Sequence, residues 1–171
     1  ISNQNIVCRG GPDAEMDRNG NFHVAWFAGD EADELDVYYS RSTDSGWTET
    51  LKIWDAYFSV GCVRIAVDSE CNPHVLWADW YSPSYCRLFY MYHNGKQWVG
   101  PAILTDTFSI NTTGRCDIEI DDSSHIHIVW NDYRDGDWDI YYSVNRGDGW
   151  EESTNISQLS YRDTYPDMEI Y

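Results

Sequence analysis

Basic residues are scarce in this sequence. Eleven Lys and Arg stand against 29 Asp and Glu, which gives a formal net charge of −18. A surface of that sign repels phosphate backbones and anionic lipid headgroups, so we expect no nucleic acid partner. The sequence also lacks any apolar run near the roughly 18 residues of a membrane span, which argues against membrane insertion. No stretch carries the apolar stripe of a helix, and the prediction is therefore an all-β chain.

Aromatic residues, in contrast, are abundant, with nine Trp and thirteen Tyr among 171 residues. Such side chains favour β-strands, and they also suit surfaces that stack on sugar rings or on partner proteins. Two glycosylation sequons begin at Asn111 and Asn155. Together with five cysteines and the acidity, they predict an extracellular or cell-surface protein. The alternative is a cytosolic protein with chance sequons and free thiols.

One segment occurs three times along the chain. It begins with His-x-x-Trp, and its histidine follows an aspartate by six residues each time. The aspartate–histidine pairs are Asp17 and His23, Asp68 and His74, and Asp121 and His127. The aspartates are spaced by 51 and then 53 residues. Spacing this regular is typical of a repeated supersecondary unit.

Each unit is predicted to hold four short antiparallel strands. The first alternates acidic and apolar residues, the second is apolar on both faces, the third is rich in Tyr, and the fourth follows a turn that ends in Trp. Such units are typical of β-propeller blades, with a β-sandwich as the alternative. The predicted boundaries are 1–10 for a connection from a preceding unit, 11–61, 62–114 and 115–164 for three repeats, and 165–171 for the first strand of a fourth.

The repeats resemble the blades of sialidase-like propellers, the BNR or Asp-box family, over residues 11–171. The turn at residues 42–47, Ser-Thr-Asp-Ser-Gly-Trp, is similar to the Asp-box, although its Trp comes two residues early. The resemblance implies a propeller fold with structural turns. Sialidase activity would require three arginines around a carboxylate, a Tyr–Glu pair and an acidic Asp. Arg9, Arg64 and Arg115 recur near the first strands but complete no such set, so we expect no enzyme activity.

Both ends of the chain fall inside a repeat. Three blades are fewer than the four to eight of a closed propeller, and an open array exposes apolar faces and a strand edge. We expect either a piece of a longer propeller or association of copies into an oligomer or filament. The strand predicted to mediate this association consists of Pro166, Asp167, Met168, Glu169 and Ile170.

The loop after the third His-x-x-Trp strand contains most of the predicted site residues. Four carboxylates and one glycine within eight residues suit a loop around Ca²⁺, the candidate cofactor, with a solvated acidic loop as the alternative. Aromatic residues here and in the second unit suit stacking on sugars, with simple packing as the alternative. The metal candidates are Asp132, Asp135, Asp137 and Asp139, and the glycan-stacking candidates are Trp80, Tyr81, Tyr133 and Trp138.

The repeated histidines are predicted to be structural, each bonded within its own unit, because equivalent positions in successive blades are too far apart for one ion. Alternating Asp and Glu on the first strands predict an acidic face. Cys8, Cys62 and Cys116 occupy matching ends of their units and are disulfide candidates, with Cys8–Cys62 as one pairing.

The sequence therefore predicts a non-catalytic extracellular structural or interaction module of propeller-type repeats that assembles with itself. A carbohydrate-binding module is the alternative function, and a fragment of a sialidase-like glycoside hydrolase is the third.

Overall fold

The computed structural model describes residues 7–8, 11–29, 35–56, 59–82, 85–105, 115–158, 163 and 165–170. For residues 7–8, 59–60, 80–82 and 85 it describes the backbone alone. All regular structure within these residues is β, which confirms the prediction of an all-β chain. No helix that is long and apolar enough to cross a membrane occurs among them.

The described residues form three antiparallel sheets, and none of these sheets closes into a barrel. The first sheet contains β1 (Val7–Cys8), β2 (Asp13–Met16), β3 (Phe22–Gly29), β4 (Asp36–Thr43), β5 (Gly46–Trp47) and β6 (Leu51–Trp54). The second contains β7 (Ser59–Val67), β8 (Pro73–Ser82), β9 (Tyr85–His93) and β10 (Trp98–Ile103). The third contains β11 (Cys116–Ile120), β12 (Ile126–Asp132), β13 (Asp139–Asn145) and β14 (Thr154–Asn155).

Four strand positions recur in every sheet. In the first sheet, two of these positions are each divided into two short strands. β1 and β2 both pair with β3, and β5 and β6 both pair with β4. The sheets follow the predicted repeats closely, although the second begins at Ser59 rather than at residue 62. Val7–Cys8 pairs with β3 and thus belongs to the first sheet rather than to a connection before it.

An aspartate fixes the turn between the first and second strands of each sheet. In the second sheet, Asp68 Oδ1 accepts hydrogen bonds from the backbone N–H groups of Glu70 and Asn72, each at 2.8 Å. Asp17 and Asp121 accept the equivalent bonds in the other two sheets. The residue three positions after each aspartate takes a positive φ, at Gly20 (83°), Cys71 (66°) and Ser124 (63°). The repeated aspartate thus sets the hairpin geometry.

The middle sheet is buried on both faces. Along β8, Val75 and Trp77 lie in an apolar cluster shared with the first sheet, whereas Leu76 and Ala78 lie in a cluster shared with the third. All four are at most 1% exposed. The prediction that the His-x-x-Trp strand is covered on both sides is confirmed for this sheet. The three sheets therefore pack in succession, an arrangement consistent with propeller-type blades and with the β-sandwich alternative.

The turn tryptophans join neighbouring sheets. Trp98 of the second sheet packs edge-on against Tyr39 of the first, with ring centroids 5.1 Å apart. Trp150 of the third sheet packs in the same way against Tyr90 of the second, at 5.2 Å. The equivalent residue of the first sheet, Trp47, is 47% exposed.

The first strands of the units lie side by side. Asp13 Oδ2 accepts a hydrogen bond from the backbone N–H of Ile65 at 2.8 Å, which links β2 to β7. Asp117, the equivalent residue of β11, accepts a bond from the N–H of Met168 at 2.7 Å. Residues 165–170 therefore lie against β11 as β7 lies against β2. The segment has no strand pairing of its own, but it occupies the place of the predicted fourth first strand.

A disulfide joins the second and third sheets. It links Cys62 to Cys116, with Cα atoms 6.7 Å apart. The pairing of Cys8 with Cys62 does not form, because the Cys62 side chain faces the cluster shared with the third sheet rather than with the first. The Cys8 side chain lies outside the described residues.

Candidate functional site

The loop between β12 and β13 makes a tight turn in the third unit. The backbone N–H of Gly136 donates to the carbonyl oxygen of Tyr133 at 3.1 Å. Gly136 has a φ of 90°, a conformation that residues with a Cβ rarely adopt. The glycine thus allows residues 133–138 to close over a short distance.

An ion pair holds the start of this loop. The Asp132 side chain is fully buried, and its Oδ2 accepts hydrogen bonds from Arg134 Nε at 2.9 Å and from Arg134 Nη2 at 2.6 Å. The Arg134 guanidinium also lies 4.2 Å from the ring centroid of Tyr141. A buried carboxylate is costly unless it is paired, so this contact fixes the loop by compensating the Asp132 charge.

The other acidic residues of the loop are also bonded within the protein. Asp135 accepts a hydrogen bond from the Tyr141 hydroxyl, and burial together with this bond raises the pKa of Tyr141. Asp137 accepts a bond from the backbone N–H of Trp138 at 2.8 Å. Asp139 accepts bonds from Asn155 and Ser157 at 2.9 and 3.2 Å.

The four loop carboxylates are therefore bonded to protein groups and not gathered around one point, and the Ca²⁺ loop stays a prediction. Among the described residues, no three of the four carboxylates Asp132, Asp135, Asp137 and Asp139 bring ligand atoms within 4.8 Å of one another. The physical reason is that a guanidinium, a phenol and an amide compete for these oxygens. Spacing along the sequence does not reveal that competition.

Two of the predicted aromatic residues lie together at this loop. The rings of Tyr133 and Trp138 are 5.4 Å apart between centroids and inclined by 56°. Tyr133 is 38% exposed and Trp138 is half-buried. Trp80 and Tyr81 belong to the end of β8, but their side chains lie outside the described residues.

The sequon at Asn155 adjoins the same loop. Asn155 Nδ2 donates to Asp139 Oδ2, while Asn155 Oδ1 accepts from the backbone N–H groups of Ser157 and Gln158 at 3.2 and 3.1 Å. The Asn155 amide thus supports the end of the loop. The other predicted glycosylation site, Asn111, lies outside the described residues.

An acidic face runs along the first strands. Burial raises the pKa of Glu119 to about 7, and neighbouring negative charges add to the effect. Those charges belong to Asp117, Glu15, Asp13 and Glu169, which come from β11, β2 and the terminal segment. The predicted acidic face therefore exists, and its charges interact across units.

A chain of hydrogen bonds from Asp through His to Tyr occurs in every sheet. In the second sheet, His74 Nε2 donates to Asp68 at 3.4 Å and the Tyr90 hydroxyl donates to His74 Nδ1 at 2.7 Å. Burial lowers the pKa of His74, which favours the neutral imidazole that accepts such a bond. The equivalent chains are Asp17–His23–Tyr39 and Asp121–His127–Tyr142. The prediction that each repeated histidine is bonded within its own unit is confirmed.

The third of these chains has an additional member that the sequence reasoning missed. His125 Nδ1 lies 2.9 Å from Asp121 Oδ2, and His127 Nε2 lies 3.3 Å from the same oxygen. Burial alone would raise the pKa of Asp121, but bonds from the His125 backbone and from both imidazoles lower it to about 2. The signal in the sequence was Asp-x-x-x-His-x-His where the other units have Asp-x-x-x-Asn-x-His.

A cleft of about 420 Å³ separates β10 from the third sheet. Its lining includes the indoles of Trp130 and Trp150. Trp130 stacks on Tyr141, and Trp150 packs edge-on against Tyr90. Trp130 is only 1% exposed whereas Tyr133 is 38% exposed, so this cleft offers less aromatic surface to a sugar than the Tyr133–Trp138 pair does.

No model of a known protein family matches the chain, and no curated protein matches it. Several solved structures are similar. A protein of unknown function from Dyadobacter fermentans DSM 18053 has a TM-score of 0.64 at 14% identity, over 87% of this chain and 54% of that one. A polysaccharide lyase, the PL25 ulvan lyase bound to -[GlcA(1-4)Rha3S]-, has a TM-score of 0.60 at 14% identity, over 88% and 44%.

The endo-arabinase from Bacteroides thetaiotaomicron VPI-5482 is also similar, with a TM-score of 0.58 at 16% identity, over 94% of this chain and 66% of that one. The chain spans about half the length of the first two proteins. Identities this low establish a shared β fold and no more. The resemblance to sialidase-like repeats stays a prediction.

Proposed function

We propose that this protein is a non-catalytic glycan-binding module that presents the Tyr133–Trp138 pair to sugar rings. The observation that supports this function is the placement of two adjacent aromatic rings, one of them exposed, on a single loop. Aromatic faces stack on the apolar faces of sugars, and polar groups around them bond to the hydroxyls.

The loop is held in place before any ligand arrives. The Arg134–Asp132 ion pair and the bond from Tyr141 to Asp135 tie both sides of the turn to the sheet. A loop fixed in this way loses little conformational entropy on binding.

Charge favours a neutral glycan over an anionic one. The net charge of −18 repels uronate and sulfate groups such as those of the saccharide bound by the PL25 ulvan lyase. Arabinan, the polymer implied by the name of the similar endo-arabinase, carries no such groups. We therefore take neutral polysaccharides as the ligand class.

An extracellular location belongs to the same proposal. Disulfides persist in oxidising compartments, and Cys62 is joined to Cys116. The two sequons fit the same setting.

The test is a binding titration of the full chain with neutral arabinan and with the sulfated uronate saccharide. We expect binding to arabinan alone and roughly a fivefold loss of affinity in Tyr133→Ala, since one ring contact is worth about 1 kcal/mol. Tyr133→Phe should retain the affinity, and Trp47→Ala should leave it unchanged as the matched exposed aromatic. Equal binding by Tyr133→Ala and the native protein would contradict the site.

The non-catalytic part has its own test. We expect no new reducing ends or unsaturated products when the protein is incubated with either polysaccharide. Product formation that disappears in Glu119→Gln would instead favour the third predicted function, a fragment of a glycoside hydrolase.

Self-association is a second candidate function, favoured by the apolar surface of the first sheet. Met16, Phe22 and Trp47 are 55%, 48% and 47% exposed. The equivalent residues of the third sheet, Ile120, Ile126 and Trp150, pack against the cluster shared with the second sheet. The first sheet thus presents the face that its repeat uses to pack on a preceding unit, and we propose a second copy of this chain as its occupant.

Sedimentation of the full chain over a range of concentrations tests this association. We expect reversible dimers or longer assemblies, and we expect Trp47→Asp to shift them to monomers without a change in the circular dichroism spectrum. A native protein that stays monomeric at all concentrations would contradict the proposal.

A further inference from the structure

The turns between the first and second strands differ at one chemically important position. In the second unit, Asn72 Nδ2 donates to Asp68 Oδ2 at 3.0 Å, and in the first unit Asn21 does the same for Asp17. The third unit has His125 there, and its Nδ1 lies 2.9 Å from Asp121 Oδ2. An amide nitrogen is a poor metal ligand, whereas an imidazole nitrogen is a good one.

We propose that Asp121, His125 and His127 form a binding site for a divalent transition metal, with Zn²⁺ as the preferred ion. Their three ligand atoms, one carboxylate oxygen and two imidazole nitrogens, lie within 4.8 Å of one another. Zinc bonds to such atoms at about 2.0–2.2 Å, so an ion reaches all three after small side-chain movements.

The turn already fixes the carboxylate in a suitable orientation. Asp121 Oδ1 accepts bonds from the backbone N–H groups of Ser123 and His125 at 2.9 and 2.8 Å. The other oxygen, Oδ2, points to the two imidazoles. The ion would replace the two hydrogen bonds that these imidazoles now make to Oδ2.

A neighbouring phenol orients the second imidazole. His127 Nδ1 lies 2.7 Å from the Tyr142 hydroxyl. When His127 Nε2 binds a metal, the ring proton is on Nδ1. This N–H then donates a hydrogen bond to the Tyr142 oxygen, because a phenol oxygen also accepts hydrogen bonds. A ring N–H held in this way is the usual support of a metal-bound histidine.

The cluster is open to solvent on one side. The side chains of Asp121, His125 and His127 are 25%, 28% and 16% exposed. Three protein ligands with an accessible fourth position match the coordination of open zinc sites, in which water or a ligand group completes the tetrahedron. The negative field of the chain adds attraction for a cation.

Calorimetric titration of the chelator-treated full chain with ZnCl₂ tests the site. We expect one equivalent of Zn²⁺ to bind, and His125→Asn to weaken binding by roughly 100-fold, because one of three ligands is lost. His125→Asn should fold normally, since it copies the turns of the other two units. His93→Asn, which removes a histidine from another hairpin, is the matched control and should bind as the native protein does.

The reverse substitution sharpens the test. Asn72→His places the same three residue types in the second unit and should add a second equivalent of Zn²⁺. Co²⁺ bound to the native protein should show the intense visible absorption of tetrahedral coordination. Unchanged affinity in His125→Asn, no binding by the native protein at 100-fold excess of metal, or no second equivalent in Asn72→His would overturn the proposal.

Discussion

The two interfaces between successive sheets are built in different ways. Large aromatic rings fill the first, where Trp77, Trp54 and Phe89 lie with centroids 5.6–5.8 Å apart. The second contains aliphatic side chains, such as Leu76 and Ile118, beside the rings of Trp130 and Tyr141, together with a disulfide. The same repeat thus joins its units by aromatic and aliphatic packing at both interfaces and adds a covalent link at the second.

This difference implies that the two interfaces respond to different disturbances. Stability at the first should depend on side-chain volume, whereas stability at the second should depend on the redox state as well. Both interfaces share the edge-on contact between a turn tryptophan and the tyrosine of the preceding unit. The Trp–Tyr contact that both interfaces share is therefore a property of the repeat, whereas the other contacts are specific to one interface.

The largest expected effect is that of Trp77→Ala. The indole is fully buried in the first interface, and removing it leaves a cavity between two sheets. We expect a loss of about 3–5 kcal/mol in the free energy of unfolding, measured by urea denaturation. Trp47→Ala, which removes an exposed indole, should change stability by less than about 1 kcal/mol. Equal effects of the two substitutions would show that aromatic bulk does not hold the first interface.

Removing the disulfide should have the next largest effect. Cys62 and Cys116 are 54 residues apart, so their link strongly restricts the unfolded chain. We expect the double variant with both residues changed to Ala to lose about 2–4 kcal/mol. Dithiothreitol should destabilise the native protein to a similar extent and leave the double variant unchanged. Cys71→Ala, which leaves the disulfide in place, is the control and should respond to dithiothreitol as the native protein does. If the stability of the native protein did not change with the reductant, the disulfide would not distinguish the second interface from the first.

The sequence was sufficient to predict the strands and their repeat. Alternation of apolar residues and the recurring His-x-x-Trp are local signals, and the buried faces of β8 follow from them directly. The bonding of each repeated histidine within its own unit could also be predicted, because equivalent positions in successive units lie far apart. Their tyrosine partners could not, since Tyr90 reaches His74 through the pairing of β8 with β9.

Features that depend on competition between side chains were beyond the sequence. The four carboxylates of the predicted Ca²⁺ loop have suitable spacing, but Arg134 pairs with Asp132 and Tyr141 bonds to Asp135. The choice among three cysteines likewise depends on which face Cys62 occupies. His125 was overlooked because its difference is recognised only when the three turns are compared, where the other two have asparagine at the same position.

Tyr39→Phe and Tyr90→Phe test the contact that both interfaces share. Each removes a hydroxyl that donates to a buried imidazole and leaves the ring against the turn tryptophan. We expect each to lose about 1–2 kcal/mol, because Nδ1 of the histidine is left without its donor. The two losses should agree within about 0.5 kcal/mol in parallel thermal denaturations. A large disagreement would mean that the interfaces differ at their common element too.

The smallest expected effect concerns a charge interaction that spans both interfaces. The pKa of Glu119 is about 7 in the folded protein because of burial and then of charges on β11, β2 and the terminal segment. The ordinary pKa of 4.5 applies in the unfolded chain, so the folded state holds the proton more tightly between these values. The stabilising contribution is therefore complete below about pH 4.5 and is lost as the pH rises through 7.

The side chain at position 119 stays neutral at every pH in Glu119→Gln, so this variant should not lose that stability as the pH rises. We expect it to match the native protein at pH 4 and to exceed its stability at pH 8 by on the order of 1 kcal/mol, after allowance for solvent screening. Glu49→Gln makes the same charge change outside the acidic face and should show the native pH profile. If Glu119→Gln followed the native profile as well, burial and the neighbouring charges would not raise the pKa of Glu119 in the folded protein.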